Sequence, residues 1–246
     1  MKPASCSTIL LSVACLVIVG LSTLCWAFYK KSKRHYMSAS LLALDPIHQS
    51  LFTKKSDGGI VFFGDSRISQ WPAQHMSHGN TKNRGISGHT TTQCRLRFTE
   101  HVIKEKPQAI VLQLGINDLR SIPLFPHSKD AIIKNCEANL LWMVAQANKQ
   151  KIPTVLLTIF PVSKVPLKYK LIWSKEVDEA VFQINQKLLS LNGAHLRVID
   201  TAAILTGKNH KPDPDFYVDH LHLSEAGYAA LKPSLEEALA KVIPQD

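Results

Sequence analysis

The sequence predicts an α/β fold, a three-layer α/β/α sandwich with a parallel sheet of about five strands, preceded by one transmembrane helix at the amino terminus. Three observations carry this. An unbroken apolar run at 60–63 suits a strand buried on both faces, and mostly apolar stretches at 109–114, 154–160 and 196–200 read as further strands. Longer stretches with helical spacing of apolar residues separate them, and strands alternating with helices imply right-handed crossovers and a parallel sheet. Residues 8–28 carry no charge at all.

That first stretch is mostly Ile, Leu, Val, Ala, Cys and Phe. As a helix it would span about 30 Å, the thickness of a bilayer core. The competing reading is a cleaved signal segment. Against it, the run is long, only Lys2 precedes it, and no convincing small-x-small site ends it. Neither Cys15 nor Cys25 sits behind a good lipidation site. Tyr29-Lys-Lys-Ser-Lys-Arg-His35 follows directly. By the positive-inside rule this flank belongs in the cytoplasm. We therefore read residues 1–35 as an anchor or signal segment with a basic flank, 36–57 as a linker with a short helical piece, and 58–246 as the α/β domain.

The domain elements follow in order. After the strand at 60–63, a short helix runs from Ser66 to about Trp71, where Pro72 stops it. A small strand near 82–86 precedes a helix at 91–104, closed before Pro107. The strand at 109–114 leads to a helix at 130–150, in which Ile133, Leu140, Leu141, Val144 and Ala147 share a face. The strand at 154–160, a helix at 174–191, a final strand at 196–200 and a helix at 225–242 complete the chain. Segments 119–127 and 160–173 follow sheet strands and should border the pocket. Of the five cysteines, only Cys94 and Cys136 lie in the domain, each in an expected helix, so no disulfide framework is present.

The stretch Ile60-Val-Phe-Phe-Gly-Asp-Ser-Arg67 puts Ser66 at the carboxyl end of a strand, where open α/β sheets place their ligands. Ser66 there reads either as a helix N-cap or as a nucleophile. A serine hydroxyl needs a base to take its proton, and His222 is the candidate. Asp219, three residues earlier, could fix the imidazole tautomer, although Asp-x-x-His also occurs as a solvated turn. An attacked carbonyl needs oxyanion donors. The backbone N–H groups of Ser66 and Gly88 and the amide of Asn117 are available, while Gly88 and Asn117 also read as ordinary turn residues.

Four ordered blocks resolve these pairs of readings. Gly64-Asp-Ser66, Asn83-Arg-Gly-Ile-Ser-Gly-His-Thr90, Gly115-Ile-Asn-Asp118 and Asp219-His-Leu-His222 with Leu-Ser-Glu-Ala-Gly-Tyr228 together resemble the SGNH (GDSL-type) hydrolases. The last block is similar to their platelet-activating-factor acetylhydrolase-like branch. The resemblance covers roughly residues 58–243. It implies that Ser66, Gly88, Asn117 and His222 take the family's four named positions, with Asp219 completing a triad and Asp65 and Asp118 supporting turns. It further implies carboxylic esters as substrates and no metal or organic cofactor. The same site would serve an acyl transferase, and a non-catalytic membrane-tethered binding domain is the reading of another class.

Other chemistries lack their signatures. There is no Gly-x-Ser-x-Gly elbow, phosphate loop or dinucleotide fingerprint. His220 and His222, with His210, Asp213, Asp215 and Asp219 nearby, would suit a metal if the His-x-His lay on a strand, but no further ligand motif accompanies them. The formal charge of +10 fits anionic headgroups, and with no nucleic-acid module visible, no nucleic acid is expected. The domain's side of the membrane is open, since the basic flank points to the cytoplasm and the family resemblance points outside it.

Overall fold

Strands Ile60–Gly64 (β1), Thr81–Gly85 (β2), Ala109–Gln113 (β3), Thr154–Leu157 (β4) and Leu196–Ile199 (β5) lie side by side, all parallel, in the order β2-β1-β3-β4-β5. This computed structural model describes residues 6–41, 58–72, 76, 80–191, 193–207 and 211–243. The strand order is that of the flavodoxin-like doubly wound class, whose ligands sit where the order reverses. Here that point lies between β1 and β3, beyond their carboxyl ends.

The period of two along each strand divides the core into two. Val61, Phe63, Ile110, Leu112 and Leu156 face one way, onto helices Thr91–His101 (α3), Lys129–Lys149 (α5) and Lys175–Leu189 (α6) through Phe98, Leu140 and Ile184. Ile60, Phe62, Val111, Val155 and Leu157 face the other way, onto helix Glu225–Val242 (α8) through Leu231, Leu235 and Leu239. Every residue of β1, β3 and β4 is buried, which is why these strands read as mostly apolar runs. Cutting a buried Phe such as Phe62 to Ala would cost about 3–5 kcal/mol.

The edge strand β2 is different. Thr-Lys-Asn-Arg-Gly carries no apolar side chain, and its polar residues are held from outside the sheet. Lys82 and Arg84 both reach Glu105, at 3.1 and 3.0 Å. The expected helix at 91–104 breaks at Val102 into a 3₁₀ turn, Ile103–Glu105, and Lys106 takes a left-handed conformation before Pro107. The strand expected to reach residue 160 ends as β4 at Leu157. Two short helices, Ser66–Ser69 (α2) and Ile116–Leu119 (α4), start directly after β1 and β3. A third, Thr201–Leu205 (α7), was not anticipated; Asp200 caps it by accepting from the N–H groups of Ala202 and Ala203.

One helix, Cys6–Leu41 (α1), precedes the sheet and is long and apolar enough to cross a membrane. Its 36 residues extend over about 54 Å. The helix does not stop where the apolar run ends. It continues through the basic flank and into the expected linker, and its last turns dock on the domain. Met37 and Ser40 are buried there, and the Thr90 hydroxyl donates to the Ser40 carbonyl at 2.8 Å. The rest of that expected linker, residues 42–57, lies outside the described residues.

Candidate active site

Ser66 occupies the first position of α2, immediately beyond β1. Gly64 lets the chain turn there without collision, since a Cβ on it would come within 1.9 Å of the Gln113 carbonyl. Asp65, not Ser66, is the N-cap. Its Oδ1 accepts from the Arg67 N–H at 3.0 Å, which leaves the Ser66 hydroxyl free of the capping role. Burial pushes the Asp65 carboxyl up, against the opposing pull of the Arg67 charge.

His222 lies in the loop before α8, and its ring bridges two partners. Nε2 is 3.0 Å from Ser66 Oγ, and Nδ1 is 2.8 Å from Asp219 Oδ2. The other Asp219 oxygen accepts from the N–H groups of Leu221 and His222, at 2.6 and 2.8 Å. The three-residue spacing thus folds the carboxylate back onto the ring. Burial alone would raise the Asp219 pKa. The hydrogen bonds from the His222 ring and the two backbone N–H groups outweigh it and hold the carboxyl below its ordinary value.

The loop is pinned at three consecutive carbonyls. His220 accepts from the Ser163 N–H at 3.0 Å, Leu221 from Arg67 Nε at 2.9 Å, and His222 from the Val218 N–H at 3.0 Å. Arg67 is fully buried, also donates to the Phe160 carbonyl at 3.2 Å, and lies over the Phe160 ring. The Tyr228 hydroxyl donates to the Arg67 carbonyl at 2.7 Å, tying α8 to α2. No sequence signal marks Arg67 for this task.

Gly88 comes from the loop after β2, and Asn117 from α4, which follows β3. Gly88 has φ of +81°, a conformation that suits glycine. Asn117 is buried in α4 and its Nδ2 donates to the His89 carbonyl at 3.0 Å. Next to it, the two carboxylate oxygens of Asp118 accept from the Thr91 N–H and hydroxyl, at 2.9 and 2.7 Å. These ties hold the Gly88 loop against the end of β3, so the Asp118 carboxyl links two elements, where the sequence suggested support for a turn. Buried Arg97 adds a third link, donating to the carbonyls of Gly64 and Arg84 at 2.8 Å and to His89 Nδ1 at 3.2 Å.

The metal alternative, weighed from the sequence and not adopted, required a His-x-His on a strand. Residues 219–222 form bends and not a strand, so His220 and His222 do not share a face. The His220 ring packs against Tyr169 at 4.8 Å and Trp173 at 5.3 Å. Asp213 caps a 3₁₀ turn by accepting from the Asp215 N–H. His210 lies outside the described residues, and among those described no group of three or more His, Cys, Asp or Glu is placed to hold a metal ion.

A cavity of about 210 Å³ opens beside His222. As the sequence suggests, it is bordered by the segments after β3 and β4, through Arg120, Leu124, Tyr169 and Trp173. Cys94 and Cys136 are buried and free, and burial pushes the Cys94 thiol up to about 11, so it is inert near neutrality.

Comparison with known proteins gives three relevant findings. A family model described as GDSL-like lipase/acylhydrolase matches residues 54–230. The uncharacterized lipoprotein YqeF of Bacillus subtilis (strain 168) is 29% identical over 142 residues, 50% of this chain and 57% of that protein. The chain thus matches little more than half the length of that curated relative. Among solved structures, a GDSL-like lipase from Bacteroides thetaiotaomicron aligns with a TM-score of 0.62 at 22% identity, over 74% of this chain and 88% of that one. A protein from Streptococcus pneumonia, provisionally described as a platelet activating factor, aligns with a TM-score of 0.60 at 22% identity, over 91% and 99%. These likenesses agree with the five-stranded fold.

Proposed function

The chain belongs to the GDSL-like lipase/acylhydrolase family, a family of ester-cleaving hydrolases, and from this premise we propose that it is a membrane-anchored serine esterase removing a short acyl group through an acyl-enzyme. One observation carries the proposal: the His222 ring stands 3.0 Å from Ser66 Oγ on one side and 2.8 Å from Asp219 on the other. That is hydrogen-bond reach for a nucleophile, its base and the group that orients the base.

In the proposed reaction, Ser66 Oγ attacks the ester carbonyl as His222 Nε2 takes its proton. Asp219 accepts from Nδ1–H and stabilises the imidazolium; its lowered pKa keeps it ionised for this task. The oxyanion is met by the backbone N–H groups of Ser66 and Gly88 and by the second amide hydrogen of Asn117, the first being held by His89. Collapse expels the alcohol, which takes the proton from His222 and leaves an acyl-Ser66. Water, deprotonated by His222, attacks that ester in turn, and the carboxylic acid leaves as the proton returns to Ser66.

Anchoring is part of the same reading. Helix α1 has the length and composition to span a bilayer, and the Bacillus subtilis relative is named a lipoprotein. An anchored chain resists alkaline carbonate extraction and keeps its amino-terminal residues by mass spectrometry.

The esterase proposal is tested by treating the full-length chain with a fluorophosphonate probe and assaying acetyl to octanoyl esters. We expect covalent label on Ser66, loss of label in Ser66→Ala, and a fall in turnover on the order of 10⁶-fold in that variant. A folded protein that takes no label and cleaves none of the esters would end this reading.

A further inference from the structure

The cavity beside His222 has a wall that the sheet domain does not supply. Tyr29, Lys33 and Met37 of α1 line it, and their spacing of four puts them on one helix face. Tyr36, next to Met37, brings its hydroxyl within 3.1 Å of where a Cβ on Gly88 would sit. The Ser40 carbonyl holds Thr90, two residues beyond Gly88. The end of α1 therefore contacts both sides of the proposed site, the His222 cavity and the Gly88 loop.

The same helix carries the apolar stretch whose side chains, Leu16, Val17, Ile18 and Phe28 among them, are exposed. With that stretch in a bilayer, Lys33 lies about 8 Å beyond Phe28 along the helix axis. Polar layers of about 5–8 Å flank the hydrocarbon core. The mouth of the cavity is thus at headgroup depth, on whichever side the domain stands.

The chemistry of the lining suits that location. Lys33 and Arg120 face the cavity, and its one lining acid, Asp219, is engaged by His222. The adjoining face of α1 carries Lys30, Lys31 and Arg34, which with Phe125 line a second cavity of about 650 Å³. At about 210 Å³, the first cavity is smaller than the roughly 300–1,000 Å³ that encloses a whole small molecule. Its lining meets the triad at Asp219 and His222 and does not include Ser66, so it has room for the groups next to the ester, with the rest of the substrate lying outside.

We propose that the seam between α1 and the domain is a lipid-entry site, and that the substrate is an ester of an anionic membrane amphiphile cleaved without leaving the bilayer. Lys33 and Arg120 hold the anionic headgroup beside the ester, and the hydrocarbon tails stay in the membrane alongside α1. This rests on the esterase reading above and adds to it the substrate class and the element that selects it.

The test uses the full-length chain reconstituted in vesicles of phosphatidylglycerol or of phosphatidylcholine. Each lipid carries one long and one short acyl chain, and release of the short acid is measured per Ser66 labelled by fluorophosphonate, so that misfolded protein is not counted. We expect phosphatidylglycerol to be cleaved about tenfold faster than phosphatidylcholine. Lys33→Glu and Arg120→Glu should each lower that ratio by about fivefold or more, and Lys33→Gln by less. Lys149→Glu, the same charge change at an exposed position of α5 away from the cavity, should leave the ratio as it is.

A chain that labels at Ser66 and cleaves soluble esters, but shows the same lipid ratio in Lys33→Glu as in wild type, would overturn this inference and leave the esterase reading intact. Cleavage of a water-soluble anionic ester with no cleavage of either lipid would overturn it too, making the cavity a site for free anions. Absence of both labelling and ester cleavage would remove the two readings together.

Discussion

Arg67 Nε donates to the Leu221 carbonyl at 2.9 Å, and this bond joins the helix that bears Ser66 to the loop that bears His222. The two residues are 154 positions apart in the chain. Arg67 follows Ser66 directly and Leu221 precedes His222 directly, so the bond sets how the hydroxyl and the imidazole meet.

Arg67→Lys should therefore affect chemistry more than binding. A lysine keeps a cation but has no fork to reach both the Leu221 and Phe160 carbonyls. We expect kcat to fall by about 10²-fold, as for a misplacement near 1 Å, with KM within about twofold. Stability should fall by about 1–3 kcal/mol for the carbonyl left without a donor. Steady-state kinetics per folded molecule, with melting temperature alongside, decide the matter. A variant that only melts earlier, with kcat unchanged, would reduce Arg67 to a packing role.

Arg67 also illustrates what the sequence could not disclose. Its partners are backbone carbonyls, which have no residue identity to read, and they lie far along the chain. Arg97 is hidden for the same reason, since two of its four hydrogen-bond partners are the carbonyls of Gly64 and Arg84. The central strands were legible because burial on both faces leaves mostly apolar residues, Gln113 and Thr154 being the polar exceptions. Strand β2 was legible only in outline, because Glu105 satisfies its Lys82 and Arg84 from outside the sheet. The continuation of α1 onto the domain was not legible, because docking of Met37 and Ser40 is a tertiary contact and not a local propensity. Ser66, Asp219 and His222 stand together as their motif blocks led one to expect; that they perform catalysis is our proposal.

Gly88 gives a prediction in which two obstacles can be separated. Its φ of +81° disfavours any L side chain, and an added Cβ would lie 3.1 Å from the Tyr36 hydroxyl. Gly88→Ala should cost about 1–2 kcal/mol in backbone strain. It should lower kcat by about 10²-fold as the proposed oxyanion N–H moves. Adding Tyr36→Phe removes the hydroxyl but leaves φ unchanged, so the double variant should recover little. Full recovery in the double variant, measured by ester turnover, would mean that contact and not backbone geometry fixes the position.

Asp118 predicts a pH dependence of stability. Burial pushes its carboxyl up to about 7, against the lowering effect of the Thr91 hydrogen bonds. In the unfolded chain the value returns to 3.8. Between these values the folded chain retains a proton that the unfolded chain has released. Stability from this group therefore falls as pH rises from about 4 to about 7, and is constant above. Asp118→Asn does not titrate, so its stability relative to wild type should rise across that window by up to a few kcal/mol. Melting temperatures of both proteins in detergent across the range measure this. A constant offset at every pH would show that Asp118 is ionised in the folded protein throughout.

Asn117 separates a catalytic from a structural role most directly. One amide hydrogen goes to the His89 carbonyl at 3.0 Å, and we assign the other to the oxyanion. Asn117→Ala should then have two effects with different readouts. Losing the donor to His89 lowers stability by about 1 kcal/mol. Losing the oxyanion donor lowers kcat by about 10²- to 10³-fold, while KM changes little because charge develops only in the transition state. Asn117→Asp should turn over no faster than the alanine variant, since a carboxylate has no N–H and would repel the oxyanion. It should also melt earlier, because it faces the His89 carbonyl with a second acceptor. If Asn117 served only to hold the His89 loop, both variants would melt early and yet turn over near normally per folded molecule. Measuring kcat against active-site titre, with the melting curve on the same preparation, distinguishes the two, and near-normal turnover would take Asn117 out of the proposed oxyanion site.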